Sequence, residues 1–545
     1  MPVTATKRWN FADLWEICTE VRGDQRAQVH GDTTIGWNEF NQRANGLAAA
    51  MLAAGVEQQD KVAQYLFNCP EYLQGVFASF KAGLVPVNTN YRYADNELLY
   101  LWDNSDSSVV MFHATFVPTI DRIRDQLPKV KLWLYVADES EHDCPDWATD
   151  WETACAAATD GNVAGPWGRS GDDRWFLYTG GTTGMPKGVM WDQDTLVQIN
   201  TSRHAMVLSP DADLDAWRNT IADIGAAAPT VLPGAPLMHG TGHITALGTL
   251  LQGGCVVTMP ERRLDPTKML DVCETQRVNS LVIVGDAFAR PIVDALDAEP
   301  ERWDLSNLLV MVSSGAMWSQ PVKEALIGHI PQLTIFDSLG SSEAIGMGAS
   351  YSTKDNVSST ARFDLGERAV VIRDDGELVA PGSGDIGRVG VEGLMPVGYY
   401  KDEVKTAATF PTINGVRYSL PGDFATIEED GTITLLGRGS VCINTGGEKV
   451  FPEEVEEVLK THPSVVDAIV VGIPDERFGQ AITAVVETTA MSTVDGDELI
   501  AHVKSQLAGY KAPKTVLPVE SLTRAPNGKV DYKKWTTYAT TNASD

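Results

Sequence analysis

Short apolar runs alternate with longer amphipathic stretches along the chain, and no fixed-period repeat or low-complexity tract interrupts them. That alternation predicts an α/β fold. Strands are expected at 130–137, 255–259, 281–284 and 308–312. Several of these runs end directly in small or acidic residues, as in Val284-Gly285-Asp286 and Val312-Ser313-Ser314-Gly315-Ala316. The carboxyl ends of parallel strands are where α/β folds bind ligands, so these turns are candidate site walls. From Arg362 to about Asp430 the texture changes to short alternating runs broken by Gly, Pro and Asp, such as Gly387-Arg388-Val389-Gly390-Val391-Glu392. It predicts a small β-rich segment. Beyond Gly437-Arg438-Gly439-Ser440 the pattern changes again, to helices at 453–459 and 497–507 and strands at 468–473 and 481–487. These predict a compact α+β unit, with the chain divided into domains 1–439 and 440–545.

Composition narrows the function classes. The 545 residues suffice for two to four domains and a large core, and 43% hydrophobic with 21% charged residues is ordinary for a folded protein. Lys and Arg number 43 against 73 Asp and Glu, a net charge of −30. Such a field repels nucleic acid and anionic membrane, and an anionic small substrate needs a local pocket of donors. Seven scattered cysteines without a CxxC pair point away from zinc clusters and disulfides, and are read mostly as core residues of a reducing compartment. The N-terminal residues carry no secretory signal, and no apolar run is long enough to span a membrane. A cytoplasmic location is expected.

The strongest local signal is Tyr178-Thr179-Gly180-Gly181-Thr182-Thr183-Gly184-Met185-Pro186-Lys187-Gly188, directly after Trp175-Phe176-Leu177. Glycines let successive amide N–H groups converge on phosphate oxygens, while Thr hydroxyls and a Lys add donors and positive charge. The string is a phosphate cradle in chemical type, although its spacing is not that of a Walker A loop.

This string resembles the first signature of the adenylate-forming superfamily, which includes acyl-CoA synthetases, aryl-CoA ligases, luciferases and peptide-synthetase adenylation domains. Further segments extend the resemblance over nearly the whole chain. Pro236-Leu237-Met238-His239-Gly240-Thr241-Gly242 is similar to the His-Gly segment beside the acyl pocket. Ser314-Gly315-Ala316 resembles the adenine-binding turn, and Leu339-Gly340-Ser341-Ser342-Glu343 the Tyr-Gly-x-Thr-Glu motif. Tyr418-Ser419-Leu420-Pro421-Gly422-Asp423 resembles the ribose-binding segment, and Gly437-Arg438 opens the hinge. Asn444-Thr445-Gly446-Gly447-Glu448-Lys449-Val450 is similar to the thiol-channel loop, and Pro526-Asn527-Gly528-Lys529 to the segment of the C-terminal catalytic Lys.

The resemblance implies a large N-terminal domain of α/β subdomains with a small β-barrel-like segment, plus a mobile α+β C-terminal domain. It also implies a two-step reaction using ATP, Mg²⁺ and CoA: a carboxylate attacks the α-phosphate of ATP, and a thiol then displaces AMP from the acyl-adenylate. Because phosphoryl transfer is mainly positioning and charge neutralisation, each segment acquires an expected role. Thr179, Thr182, Thr183 and Lys187, with Gly180, Gly181 and Gly184, hold the phosphates; Glu343 and Thr182 serve Mg²⁺. Ser314, Gly315, Ala316, Asp337, Ser338, Leu339, Gly340 and Ser342 wall the nucleotide. Asp423 accepts both ribose hydroxyls, and Arg438 lies near the ribose or phosphate. Lys529 acts in adenylation, and Gly446, Gly447, Glu448 and Lys449 line the thiol channel once the small domain has swung. A lone His is by default a core imidazole, yet the His-Gly-Thr-Gly context favours His239 as a pocket gate rather than a base.

Three positions depart from the family's pattern. Leu339 replaces the aromatic that stacks on adenine, Ser440 stands at the hinge, and Gly180 removes a hydroxyl. A free amino acid is disfavoured as substrate, since the Met238-His239-Gly240 segment carries no Asp for its ammonium. The expected pocket lining of Met238, Thr241, Val284, Ala287, Phe288 and Met317 suits a hydrophobic acid. Val282-Ile283-Val284-Gly285-Asp286-Ala287-Phe288-Ala289-Arg290-Pro291, with Gly-Ser-Ser-Glu at 340–343, is similar to a branch acting on bulky acids such as sterol side-chain acids; medium- and long-chain fatty acids are equally expected. No carrier segment follows Lys529, so a stand-alone ligase is expected. Its partners are then the small-molecule acid, ATP and CoA, without nucleic acid, and a homodimer is one option for its assembly. An acyl-AMP ligase that loads a carrier protein, and a non-catalytic nucleotide-binding protein on the same fold, stay open as alternatives.

Overall fold

The computed structural model describes residues 9–158, 161–179, 185–203, 212–445, 448–475, 479–488, 495–524 and 531–543. Two large sheets share the N-terminal region. In the first, the strands Arg26–His30, Cys255–Thr258, Thr230–Pro233, Ser280–Ile283, Val310–Ser314 and Thr334–Leu339 lie side by side in that order, all parallel. The second runs Gly398–Tyr399, Lys187–Asp192, Arg174–Thr179, Val85–Asn88, Lys61–Tyr65, Ser107–His113, Leu132–Val136 and Thr149–Asp150. Helices cover these sheets, as near-continuous apolar strands require.

Local chemistry explains the helices. Phe11–Arg22 begins where the Asn10 side chain accepts from Ala12 N–H at 2.8 Å, and it buries Phe11, Leu14, Trp15 and Cys18 on one face. Trp15 meets Phe77 edge to face, with ring centroids 5.2 Å apart. Pro70 opens Pro70–Lys81 at a position whose N–H would lack a helical partner anyway. The predicted strands at 130–137, 255–259, 281–284 and 308–312 correspond to Leu132–Val136, Cys255–Thr258, Ser280–Ile283 and Val310–Ser314. Five of the seven cysteines are buried.

The β-rich segment is present, but it extends the first sheet and forms no closed barrel among the described residues. Arg362–Leu365 pairs with Gly348–Ser352 on one edge and with Ile433–Arg438 on the other, so the strands Asp423–Ile427 and Gly387–Glu392 continue the same sheet. The C-terminal unit has its own five-stranded sheet, beginning at Ile443–Thr445 and built on the long hairpin Val465–Asp475 with Gly479–Thr488. Helices Pro452–Lys460 and Gly496–Gln506 close its core of Val455, Leu459, Val470, Ile482, Ala484, Leu499 and Val503.

Candidate active site

One continuous cavity of about 1620 Å³ runs between the two large sheets and under the C-terminal unit. At the two ends of the phosphate string, Thr179 ends one strand, Lys187 begins the next, and the two are register partners. Residues 180–184, and with them the expected Gly180, Gly181, Thr182, Thr183 and Gly184, lie outside the described residues. The Lys187 ammonium pairs with Asp402, which holds the Asp402 carboxyl below the usual carboxylate range. Asp402 also caps the helix Glu403–Thr409 by accepting from Lys405 N–H at 2.9 Å.

Glu343 lies in the loop after Thr334–Leu339. Its Oε1 accepts from the Tyr399 hydroxyl at 2.7 Å, its carbonyl accepts from Ser419 Oγ at 2.6 Å, and the neighbouring Ser342 carbonyl accepts from Trp191 Nε1 at 3.0 Å. Among the described residues no three His, Cys, Asp or Glu side chains form a metal-holding group. A single carboxylate nevertheless fits Mg²⁺, which commonly takes one or two carboxylates and completes its shell with substrate phosphates and water.

Asp423 is buried at the start of Asp423–Ile427. Its Oδ1 accepts from Arg438 Nε at 3.2 Å, while its Oδ2 has no partner among the described residues. A buried carboxylate oxygen left in this way is costly unless a ligand supplies the donor, and ribose hydroxyls are of the right kind. Asp423, then Glu343 and Glu453, keep the Arg438 guanidinium charged.

The adenine-turn candidates line the same cavity: Ser314, Gly315, Ala316, Asp337, Ser338, Leu339, Gly340 and Ser342. Gly315 adopts φ +95°, which favours glycine, and Gly285 at φ +51° sits where a Cβ would meet the Met317 carbonyl at 2.2 Å. Asp286 ties the two turns together, accepting from Ser319 N–H at 2.9 Å and Ser319 Oγ at 2.7 Å. Asp337 forms a buried ion pair with Lys323 at 3.0 Å, and burial still pushes its carboxyl up to about 6.

His239 is half-buried on the cavity wall, at the cap of the helix Gly240–Leu251. His243, one turn on, is the core imidazole; burial lowers it to about 3, edge-on to Trp175 and Tyr72. Sequence reasoning passed over Asn88, which fixes this wall by donating to the carbonyls of Met238 (2.7 Å) and Tyr178 (2.9 Å) and accepting from Tyr178 N–H (2.6 Å). It also passed over Tyr399 and Asp402. The Asp402-Glu403-Val404-Lys405 string carries a readable helix-start signal, but nothing local ties it to Lys187. The expected acid-pocket residues Met238, Thr241, Val284, Ala287, Phe288 and Met317 all face the cavity. Gly446, Gly447 and Lys529, and the side chains of Glu448 and Lys449, lie outside the described residues.

Residues 15–400 match the model of the AMP-binding enzyme family, and residues 454–529 that of the AMP-binding enzyme C-terminal domain. The chain belongs to the AMP-binding enzyme family. It is 40% identical to a medium/long-chain-fatty-acid–CoA/3-oxocholest-4-en-26-oate–CoA ligase of Mycobacterium tuberculosis, over 96% of this chain and 95% of the relative. A 3-oxocholest-4-en-26-oate–CoA ligase of Rhodococcus rhodochrous is 39% identical over the same shares. The fold matches the crystal structure of the anthranilate CoA ligase AuaEII with anthranoyl-AMP, at a TM-score of 0.83 and 19% identity over 99% of both chains.

Proposed function

We propose that this AMP-binding enzyme is an AMP-forming acid–CoA ligase for long hydrophobic carboxylic acids, either fatty acids or steroid side-chain acids. The observation that carries this reading is the continuity of the cavity. The Asp423 oxygen left without a partner among the described residues, Thr179, Lys187 and Glu343 line one part of it, and the apolar wall of Met238, Val284, Ala287, Phe288 and Met317 follows directly. A nucleotide and an acid therefore meet in one continuous space.

In the first step a carboxylate oxygen attacks the α-phosphorus, forming the acyl–AMP anhydride and releasing pyrophosphate. Thr179 and Lys187 hold the phosphates, Asp423 orients the ribose, and Arg438 neutralises nearby charge. Mg²⁺ screens phosphate charge when bound, and Glu343 with Thr182 would hold it. Lys529 approaches from the C-terminal domain in this step only. In the second step that domain, hinged near Ser440 at the boundary of 1–439 and 440–545, turns, and Gly446 and Gly447 admit the thiol. The thiol sulfur attacks the acyl carbon, its proton is lost, and AMP leaves. His239 gates the acid pocket. The scattered cysteines favour a cytoplasmic site of action; no helix among the described residues is long and apolar enough to cross a membrane.

The test is pyrophosphate and AMP release with ATP, Mg²⁺ and an acid panel, with and without CoA, read by mass spectrometry. Acyl-CoA appearing only with CoA is expected. Acyl-adenylate that never proceeds with CoA would identify a carrier-protein acceptor, and no pyrophosphate from any acid would overturn the reading.

A further inference from the structure

The cavity does not end at the acid pocket. It continues along the carboxyl ends of the strands to His30, Phe67, His113, Asp138 and Arg262. Both sheets contribute: His30 ends Arg26–His30 and Arg262 follows Cys255–Thr258, while His113 ends Ser107–His113 and Asp138 follows Leu132–Val136. Strand order measures the span. Four strand steps separate Val310–Ser314, with its adenine turn, from Arg26–His30, and three separate Arg174–Thr179 from Ser107–His113. At ~4.8 Å per step these are about 19 and 14 Å. The far end thus lies a long acid's length from the strands that end in the adenine turn and at Thr179.

Its chemistry differs from that of the apolar wall. His113 Nδ1 accepts from Phe67 N–H at 3.2 Å, which places the ring proton on Nε2, and Nε2 has no hydrogen-bond partner among the described residues. Burial lowers the ring to about 4, so it is a neutral donor. Beside it, Arg262 donates to Asp138 Oδ2 at 2.9 Å and lies over the Phe67 ring, 4.4 Å from its centroid. Asp138 is itself fixed by Ser140 N–H at 2.9 Å and Thr115 N–H at 3.2 Å. An alkyl tail filling this end would displace water and leave the His113 N–H without an acceptor, whereas a carbonyl oxygen on a rigid ring system would satisfy it.

We propose that this end of the cavity receives the ring oxo group of a polycyclic, steroid-type acid, with His113 as the hydrogen-bond donor and the Asp138-held Arg262 as a second. The inference rests on the acid–CoA ligase reading and selects the oxo-steroid acid from its two substrate classes. It makes His113 a specificity-determining residue that never meets the reacting atoms.

The experiment compares acyl-CoA formation from a 3-oxo steroid side-chain acid, its 3-deoxo counterpart and palmitate, for the full-length enzyme and for His113→Phe and His113→Gln. The wild-type enzyme is expected to prefer the oxo acid over the deoxo acid by about tenfold in kcat/KM, the value of one net hydrogen bond. His113→Phe brings the ratio close to one, and His113→Gln, which keeps an N–H, restores part of it. Equal use of the two steroid acids by wild type, or a ratio unchanged in His113→Phe, would overturn the inference. Palmitoyl-CoA formed without any oxo preference would leave the ligase reading standing while this inference fell. No product from any acid would remove both.

Discussion

The Tyr399 hydroxyl donates to Glu343 Oε1 at 2.7 Å, across 56 residues of sequence. The strand Gly398–Tyr399 pairs with Lys187–Asp192 and leads to Asp402, so one short segment positions both Glu343 and Lys187. Tyr399→Phe keeps the ring against Phe410, at 5.8 Å between centroids, and removes only the hydrogen bond. A hydrogen bond to a charged group contributes ~1.5–3 kcal/mol, so kcat/KM for ATP should fall by at least about tenfold. The Mg²⁺ dependence should shift to higher concentration. Pyrophosphate release titrated against ATP and Mg²⁺ checks this; an unchanged Mg²⁺ dependence would show that the hydroxyl does not orient the carboxylate.

The buried Lys323–Asp337 pair supports the proposed nucleotide wall from behind. Lys323→Met leaves the Asp337 carboxyl buried without its cation, and breaking one side of such a pair costs about 3–5 kcal/mol. Lys323→Met with Asp337→Leu removes both charges and should recover much of that loss. Urea unfolding of the two variants decides the matter, since equal destabilisation would mean that packing rather than charge sets the cost.

Lys529 and Gly447 should separate the two half-reactions. Lys529→Ala should cripple adenylation while sparing thioester formation from supplied acyl-AMP, and Gly447→Leu should do the reverse. Mass spectrometry of each half-reaction reads the result. Equal loss in both steps for Lys529→Ala would refute its role in adenylation alone.

Candidate site residues that punctuate strand ends were legible in the sequence as turns. Thr179, Ser314, Gly315, Gly340 and Asp423 sit where an apolar run meets a Gly- or Ser-rich turn, and the fold brings them to one cavity. The residues that hold them were not legible, because their partners are remote: Asn88 reaches Met238 across 150 positions, and Lys187 reaches Asp402 across 215. No local period or motif encodes such pairings. Joining the β-rich segment to the large sheet depends likewise on the non-local pairing of Arg362–Leu365 with Ile433–Arg438. Helix 453–459 was legible as a helix, yet its Glu456, a residue that reads as solvated, is buried.

That burial makes the seating of the C-terminal unit sensitive to pH. Glu453 packs against Gly437, where a Cβ would meet Glu453 Oε2 at 2.1 Å, and Oε2 has no hydrogen-bond partner among the described residues. Burial first, and the neighbouring Glu456 next, push its carboxyl well above the usual carboxylate range; Asp423 adds to the rise, while the Arg438 backbone N–H opposes it. The seated arrangement holds the neutral form. Its contribution is therefore complete in the ordinary carboxylate range and below, and is lost as rising pH forces the buried carboxyl to ionise. As pH rises from the ordinary carboxylate range towards mild alkalinity the unit should unseat more readily, and limited proteolysis around 439–441 should accelerate. Glu453→Gln keeps the shape without the titration and should flatten that pH profile. An equally steep rise in the variant would assign the effect to another group, with Glu456, also raised by burial, the next to replace.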